Sequence, residues 1–208
     1  PFIDIKTLWQ HLLESSLTKN NINRLLAKRN QISMLLIFGA GLKVSDIAKL
    51  KKSRITLGAN KDDPARVLIN HPKRDAYTVP LPTIFNEVYT NYIKEVDQLK
   101  SHSQIEFDEI LFNANPYRIL NGGLSPRGIE IIFEDLRKKL IITLTPKSLR
   151  QACIFKWLQD EVNDNLIKEW LGVAPSYSLK LYKDHMSKHL YSHEFLTEIY
   201  QSYKKRGI

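Results

Sequence analysis

Between residues 55 and 81 the apolar residues tend to alternate with polar ones, whereas on either side they recur at every third or fourth position. A period of two sets one face of a strand against a core, and a period near 3.6 does the same for a helix. A chain with one such interlude has to build a small sheet inside a helical body. Segments 55–57, 66–70 and 77–81 read as three strands. The first two are separated by the turn-rich 58–64, and the last two by His71-Pro72-Lys73-Arg74-Asp75. The expected fold is therefore mainly α with a small three-stranded antiparallel β-sheet carrying a basic hairpin tip.

The helical segments follow from spacing and punctuation. Residues 7–15 carry Leu8, Trp9, Leu12 and Leu13 at helical spacing, and 19–38 carries Ile22, Leu25, Leu26, Ile32, Leu35 and Leu36. Gly39-Ala40-Gly41 ends that run, and Ser45 is the expected cap of a short helix with Ile47, Ala48 and Leu50 inward. Helices are expected over 82–99, 126–140, 146–159, 163–171, 176–186 and 192–204. Segments 101–106 and 113–125 read as loops, and Pro126 suits the first helical turn.

Charge narrows the function classes. The 208 residues hold 31 Lys and Arg against 22 Asp and Glu, a formal +9, which favours a polyanionic partner such as nucleic acid over plain solubility. One cysteine, Cys153, excludes an internal disulfide and a cysteine-rich zinc site, and suits a reducing compartment. No apolar run is long enough for a membrane span, residues 1–6 lack a secretory pattern, and no membrane partner is expected. A chain opening at Pro1 with no initiator methionine is expected to be a piece of a longer protein.

Several chemistries are disfavoured. No glycine-rich loop leads into Lys-Ser or Lys-Thr, and Gly39-Ala40-Gly41 follows a helical run rather than the strand a dinucleotide site requires. His185, His189 and His193 share one helix face, yet no cysteine or carboxylate in phase completes a metal shell, so they read as a solvated basic face.

What remains is a set of segments in fixed order. Gly41-Leu42-Lys43 precedes the strands, and Lys73 lies on the hairpin before Val79-Pro80-Leu81. Thr145-Pro146-Lys147-Ser148-Leu149-Arg150 follows, then Trp170-Leu171-Gly172-Val173, with Tyr182 ten residues after Gly172 and 32 after Arg150. This order resembles the catalytic domain of the tyrosine recombinases, the phage-integrase and Xer family, over about residues 20–191. Family members read approximately Gly-Leu-Arg, a strand-borne lysine, His-x-x-Arg, Leu-Gly-His and a nucleophilic tyrosine.

The resemblance implies a fold, a reaction and a site. Tyr182 would attack a DNA phosphodiester, form a 3′-phosphotyrosyl link and expel a 5′-hydroxyl, with no metal or nucleotide cofactor. Arg150 matches the second arginine, which forks onto the phosphate oxygens. Lys73, or Arg74 beside it, stands for the lysine that protonates the leaving oxygen. Lys147 takes the place of the usual histidine, and Lys43 that of the first arginine, where a point charge replaces a bidentate fork. Val173 stands where His or Trp is usual, and Gln151 where a histidine often follows. By resemblance Lys43, Lys73, Arg74, Lys147 and Arg150 contact DNA. Tyr182 also admits a plain packing role among Leu179, Leu181 and Met186.

The expected organisation is a linker and first helix over 1–19, the catalytic domain over 20–191, and a C-terminal helix over 192–208 that docks on a neighbouring protomer. The implied partners are double-stranded DNA and further copies of the chain, in a tetramer on two DNA sites, in the cytoplasm at the nucleoid. Two functions stay open: a recombinase or integrase of the kind found in mobile elements, and a catalytically impaired DNA-binding module with a degenerate site acting as partner subunit or regulator.

Overall fold

A computed structural model describes residues 2–48, 50–60, 62–71, 74–115 and 119–186. The first helix, α1 (Phe2–Ser15), begins five residues before the apolar repeat that marks it, and buries Ile5, Leu8, Trp9, Leu12 and Leu13. Helix α2 (Asn21–Met34) starts where the Asn20 side chain accepts from the Asn23 N–H at 3.0 Å. It runs on as a wider π turn over Leu35–Gly39, in which every residue is buried. Helix α3 (Val44–Ala48) follows.

Ser45 lies inside α3 and is not its cap. The first turn begins at Lys43, whose carbonyl receives the Asp46 and Ile47 N–H groups, and the Asp46 carboxylate reaches back to the Lys43 N–H at 3.2 Å. The carboxylate one residue further on thus holds the start of the turn by reaching back to the Lys43 N–H, a different bond from the cap expected of Ser45. After a 3₁₀ turn over Lys52–Arg54 come β1 (Ile55–Thr56), β2 (Arg66–His71) and β3 (Arg74–Pro80), antiparallel in the order β1-β2-β3. The register pairs Val67 with Val79 and Ile69 with Tyr77, so one face of the ribbon enters the core and the other stays wet.

Helix α4 (Ile84–Ser103) continues four residues past its expected end and takes in the start of the segment read as a polar loop. It stops at Gln104, in the left-handed conformation at φ 52°. The expected loop 113–125 holds a second, two-stranded antiparallel sheet of β4 (Phe112–Ala114) and β5 (Ile119–Gly123). Strands this short, interrupted by Pro and Gly-Gly, show no clear alternation; they are ordered by pairing with each other.

Helices α5 (Pro126–Leu140), α6 (Pro146–Gln159), α7 (Asp164–Leu171) and α8 (Lys180–Met186) complete the described chain. Residues 176–179, expected as the start of α8, lie outside any helix. The expected helix 192–204 lies outside the described residues. One hydrophobic cluster links the buried faces, running from Ile5 in α1 through Phe38 and Tyr92 to Leu179. Inside it Arg29 and Lys28 are buried: Lys28 pairs with Glu95 at 2.5 Å, and Arg29 donates to the Phe112 carbonyl at 3.1 Å and lies over the Phe112 ring. Among the described residues no helix is long and apolar enough to cross a membrane.

Candidate active site

Helix α6 organises the site. Thr145 caps it by accepting the Ser148 N–H at 3.1 Å, while the Ser148 hydroxyl accepts the Thr145 N–H at 2.8 Å, with Pro146 in the first position. That box fixes the first turn and with it Lys147. No carboxylate occupies this turn, so the positive end of the helix adds to the field of Lys147 and Arg150.

Arg150 is half-buried and bridges two distant turns. Its Nε donates to the Gly41 carbonyl at 2.6 Å, and one Nη donates to the Leu171 carbonyl at 3.0 Å. Both acceptors are presented by glycine-dependent turns. Gly41 sits at φ +61°, and a Cβ there would come within 2.9 Å of the Trp157 ring, so no side chain fits. Gly172 at φ +67° closes α7 with a Schellman motif: the Val173 N–H reaches the Lys168 carbonyl and the Gly172 N–H the Glu169 carbonyl. This closure leaves the Leu171 carbonyl for Arg150. A guanidinium carries more donors than these two bonds consume, so Arg150 still faces the adjoining groove with N–H groups to offer.

That groove, about 470 Å³, lies between α5 and the turns before α3 and α6. Lys43, Lys147 and Arg150 line it, as do Arg127, Arg137, Glu130 and Glu134 from α5: five cations against two carboxylates. Arg127 pairs with Glu130 at 3.3 Å and approaches Glu134 at 3.9 Å, so α5 supplies its own countercharge. Lys43 and Lys147 are exposed. The α5 residues were missed in the sequence, although 127, 130, 134 and 137 repeat at intervals of three and four and must share one helix face.

Tyr182 opens on a different cavity, about 650 Å³, on the other flank of α6, where Ser148, Gln151, Phe155, Tyr177 and His185 also line the wall. Its ring meets Phe155 edge-on at 5.3 Å. Burial and the neighbouring Tyr177 hydroxyl push the phenol up to about 12, against a smaller opposing pull from the Arg150 charge. The hydroxyl is neutral at pH 7 and needs a base to become a nucleophile. Of its expected packing partners, Leu179 is buried and Leu181 is 81% exposed.

The structure thus brings Lys43, Lys147 and Arg150 to one groove and places Tyr182 behind the same helix. The Val173 side chain packs against the core and offers no donor. Lys73 lies outside the described residues, as do the side chain of Arg74 and residues His189 and His193.

Comparison with known proteins decides the family. A model of the phage integrase family matches residues 10–189. The chain belongs to the phage integrase family, the tyrosine recombinases. Tyrosine recombinase XerC of Anoxybacillus flavithermus is 26% identical over 193 residues, covering 89% of this chain and 61% of the relative. Among solved structures, the XerH site-specific recombinase bound to its difH substrate superposes with a TM-score of 0.61 at 15% identity, covering 89% of this chain and 48% of that one. The XerA recombinase superposes at 0.58 and 18% identity, covering 95% and 61%. At those identities the two structures establish the recombinase catalytic fold. The chain spans about three-fifths of the length of the XerC relative.

Proposed function

We propose that this chain is the catalytic domain of a site-specific DNA recombinase that cleaves and rejoins duplex DNA through Tyr182. The observation that carries the reading is the arrangement around α6. Lys147 and Arg150 project from it into a cationic groove with Lys43, and Tyr182 lies against its other flank within reach of the Arg150 charge.

In the proposed reaction the groove holds the scissile phosphate. Arg150, Lys43 and Lys147 stabilise the charge that builds on its non-bridging oxygens. The Tyr182 oxygen gives its proton to solvent water and bonds to phosphorus, the bond to the 5′ oxygen breaks, and that oxygen takes up a proton, from Lys73 or Arg74 in this reading. The 3′-phosphotyrosyl link conserves the bond energy, and attack by a 5′-hydroxyl reverses the step. The family's XerC and XerA members, and XerH on its difH DNA, support a recombination role and a DNA partner. We assign the catalytic domain to 20–191 and a protomer-docking helix to 192–208, with a tetramer on two DNA sites and a DNA-associated location in the cytoplasm.

Two observations favour a second reading, a DNA-binding module with impaired catalysis. Tyr182 and the cations line separate cavities, and Val173 brings no donor where the family has one. Covalent trapping separates the readings. On nicked duplexes whose short cleaved fragment diffuses away, the recombinase gives an SDS-resistant adduct that Tyr182→Phe abolishes. Salt-sensitive binding with no adduct, even in Lys43→Arg with Val173→His, establishes the binding module instead.

A further inference from the structure

Helix α5 begins where the Ser125 side chain accepts the Gly128 N–H at 3.0 Å, and Arg127 stands in that first turn. Glu130, Glu134 and Lys138 follow it along one stripe of the helix, at intervals of three and four. One Nη of Arg127 meets a Glu130 oxygen at 3.3 Å, and the other lies 3.9 Å from Glu134. Glu134 is anchored from the next turn by Lys138 at 3.0 Å, the acid four residues before the base, which is the favourable order on a helix. Its two oxygens are thus divided between a cation on either side. The Lys138 bond, and after it the charges of Arg127 and Arg137, hold the Glu134 carboxyl below the usual carboxylate range.

Arg127, Glu130 and Glu134 all line the cationic groove, which Lys43, Lys147 and Arg150 line from the α3 and α6 turns. Among the described residues, Arg127 is the groove cation held in an ion pair; Lys43, Arg137, Lys147 and Arg150 make none. A guanidinium grips carboxylate and phosphate with the same fork. The Glu130 and Glu134 oxygens therefore take the place on Arg127 that a DNA phosphate would fill, and their charge repels that phosphate. We propose that Glu130 and Glu134 are specificity-determining residues that withhold Arg127 from DNA phosphates and so weaken binding to duplexes of unrelated sequence. The proposal rests on the reading of the groove as the duplex-binding face and deepens it.

The effect falls on unrelated sequence for a physical reason. Such binding comes almost wholly from phosphate neutralisation, with counterions released at each contact. Taking one cation out of that set weakens it directly, whereas a target site has base-edge contacts as a second source of binding energy. Exposed ion pairs are individually weak, so the hold on Arg127 can be exchanged for a better-fitted ligand at little cost.

The double variant Glu130→Gln with Glu134→Gln tests this, because it keeps side-chain length and good helix formers on an exposed face. Binding to duplexes of unrelated sequence is followed by fluorescence anisotropy across a salt series. The double variant is expected to bind about fivefold more tightly at about 150 mM salt and to steepen the salt slope by about one, the mark of one added phosphate contact. Adding Arg127→Ala to it should return the slope to that of the unchanged chain. A slope that stays put in the double variant overturns the proposal. So does a gain that survives Arg127→Ala, which would be relief of repulsion alone, or weaker binding, which would make the carboxylates DNA contacts themselves. If the unchanged chain binds no duplex, the DNA reading fails, and elution from a heparin column decides the withheld arginine by the same comparison. Later elution of the double variant, reversed by Arg127→Ala, supports it; elution unmoved, or a shift that survives Arg127→Ala, removes it.

Discussion

Arg150 does two jobs with one side chain. Its bonds to the Gly41 and Leu171 carbonyls close two turns 130 residues apart in sequence onto α6, and its remaining donors face the groove. A residue that only touched phosphate would be silent in the folded, DNA-free protein. Arg150→Ala leaves two carbonyls without their partner, and its expected cost is about 1–3 kcal/mol in urea unfolding. Arg150→Lys should recover little of that, because one ammonium cannot span both acceptors in a fork. Gly41→Ala tests the other side of the same contact. It combines a left-handed backbone, at about 1–2 kcal/mol, with a Cβ pressed on the Trp157 ring, and should cost at least about 2 kcal/mol. The motif glycine was legible in the sequence as a helix stop. That its carbonyl serves Arg150 was not, because hydrogen bonds between remote turns leave no local pattern.

Among the elements, α5 shows a defect that can be repaired. It ends at Ile141, a β-branched residue held at φ 55° and 93% exposed, whose N–H bonds the Arg137 carbonyl. Glycine takes that conformation without strain, so Ile141→Gly should stabilise the protein by about 1 kcal/mol. In a chain of this size that is a rise of about 2–4 °C in the melting temperature, read by differential scanning calorimetry. The capping box of α6 makes the opposite prediction: Thr145→Ala should destabilise by about 1 kcal/mol and loosen the turn that holds Lys147. Both helices were visible in the sequence, with Pro at the first position and a Ser or Thr before it. The pairing of β4 with β5 was not, since three to five residues with Pro and Gly-Gly carry no readable period and gain order only from each other.

At the scale of the molecule, a formal +9 and a groove with five cations against two carboxylates should make duplex binding electrostatic. Raising salt from about 50 to 200 mM is expected to weaken binding at least about tenfold, by fluorescence anisotropy. Lys43→Ala and Lys147→Ala should each lower the salt slope by about one and weaken unrelated sequences alike, as phosphate contacts do.

The order of segments from Gly41 to Tyr182, the change of hydrophobic period and the excess charge were enough to determine the family and its mainly helical fold with a three-stranded sheet. All are written along the chain, in spacing and composition. The tertiary structure alone decided that Arg150 bridges Gly41 and Leu171, and that α5 adds Arg127 and Arg137 to the groove. It alone placed Tyr182 beside Tyr177, across α6 from the cations. The reason is physical: local periodicity records which face of an element is buried, whereas the partner it meets depends on how α5, α6 and α8 pack, which no single segment encodes.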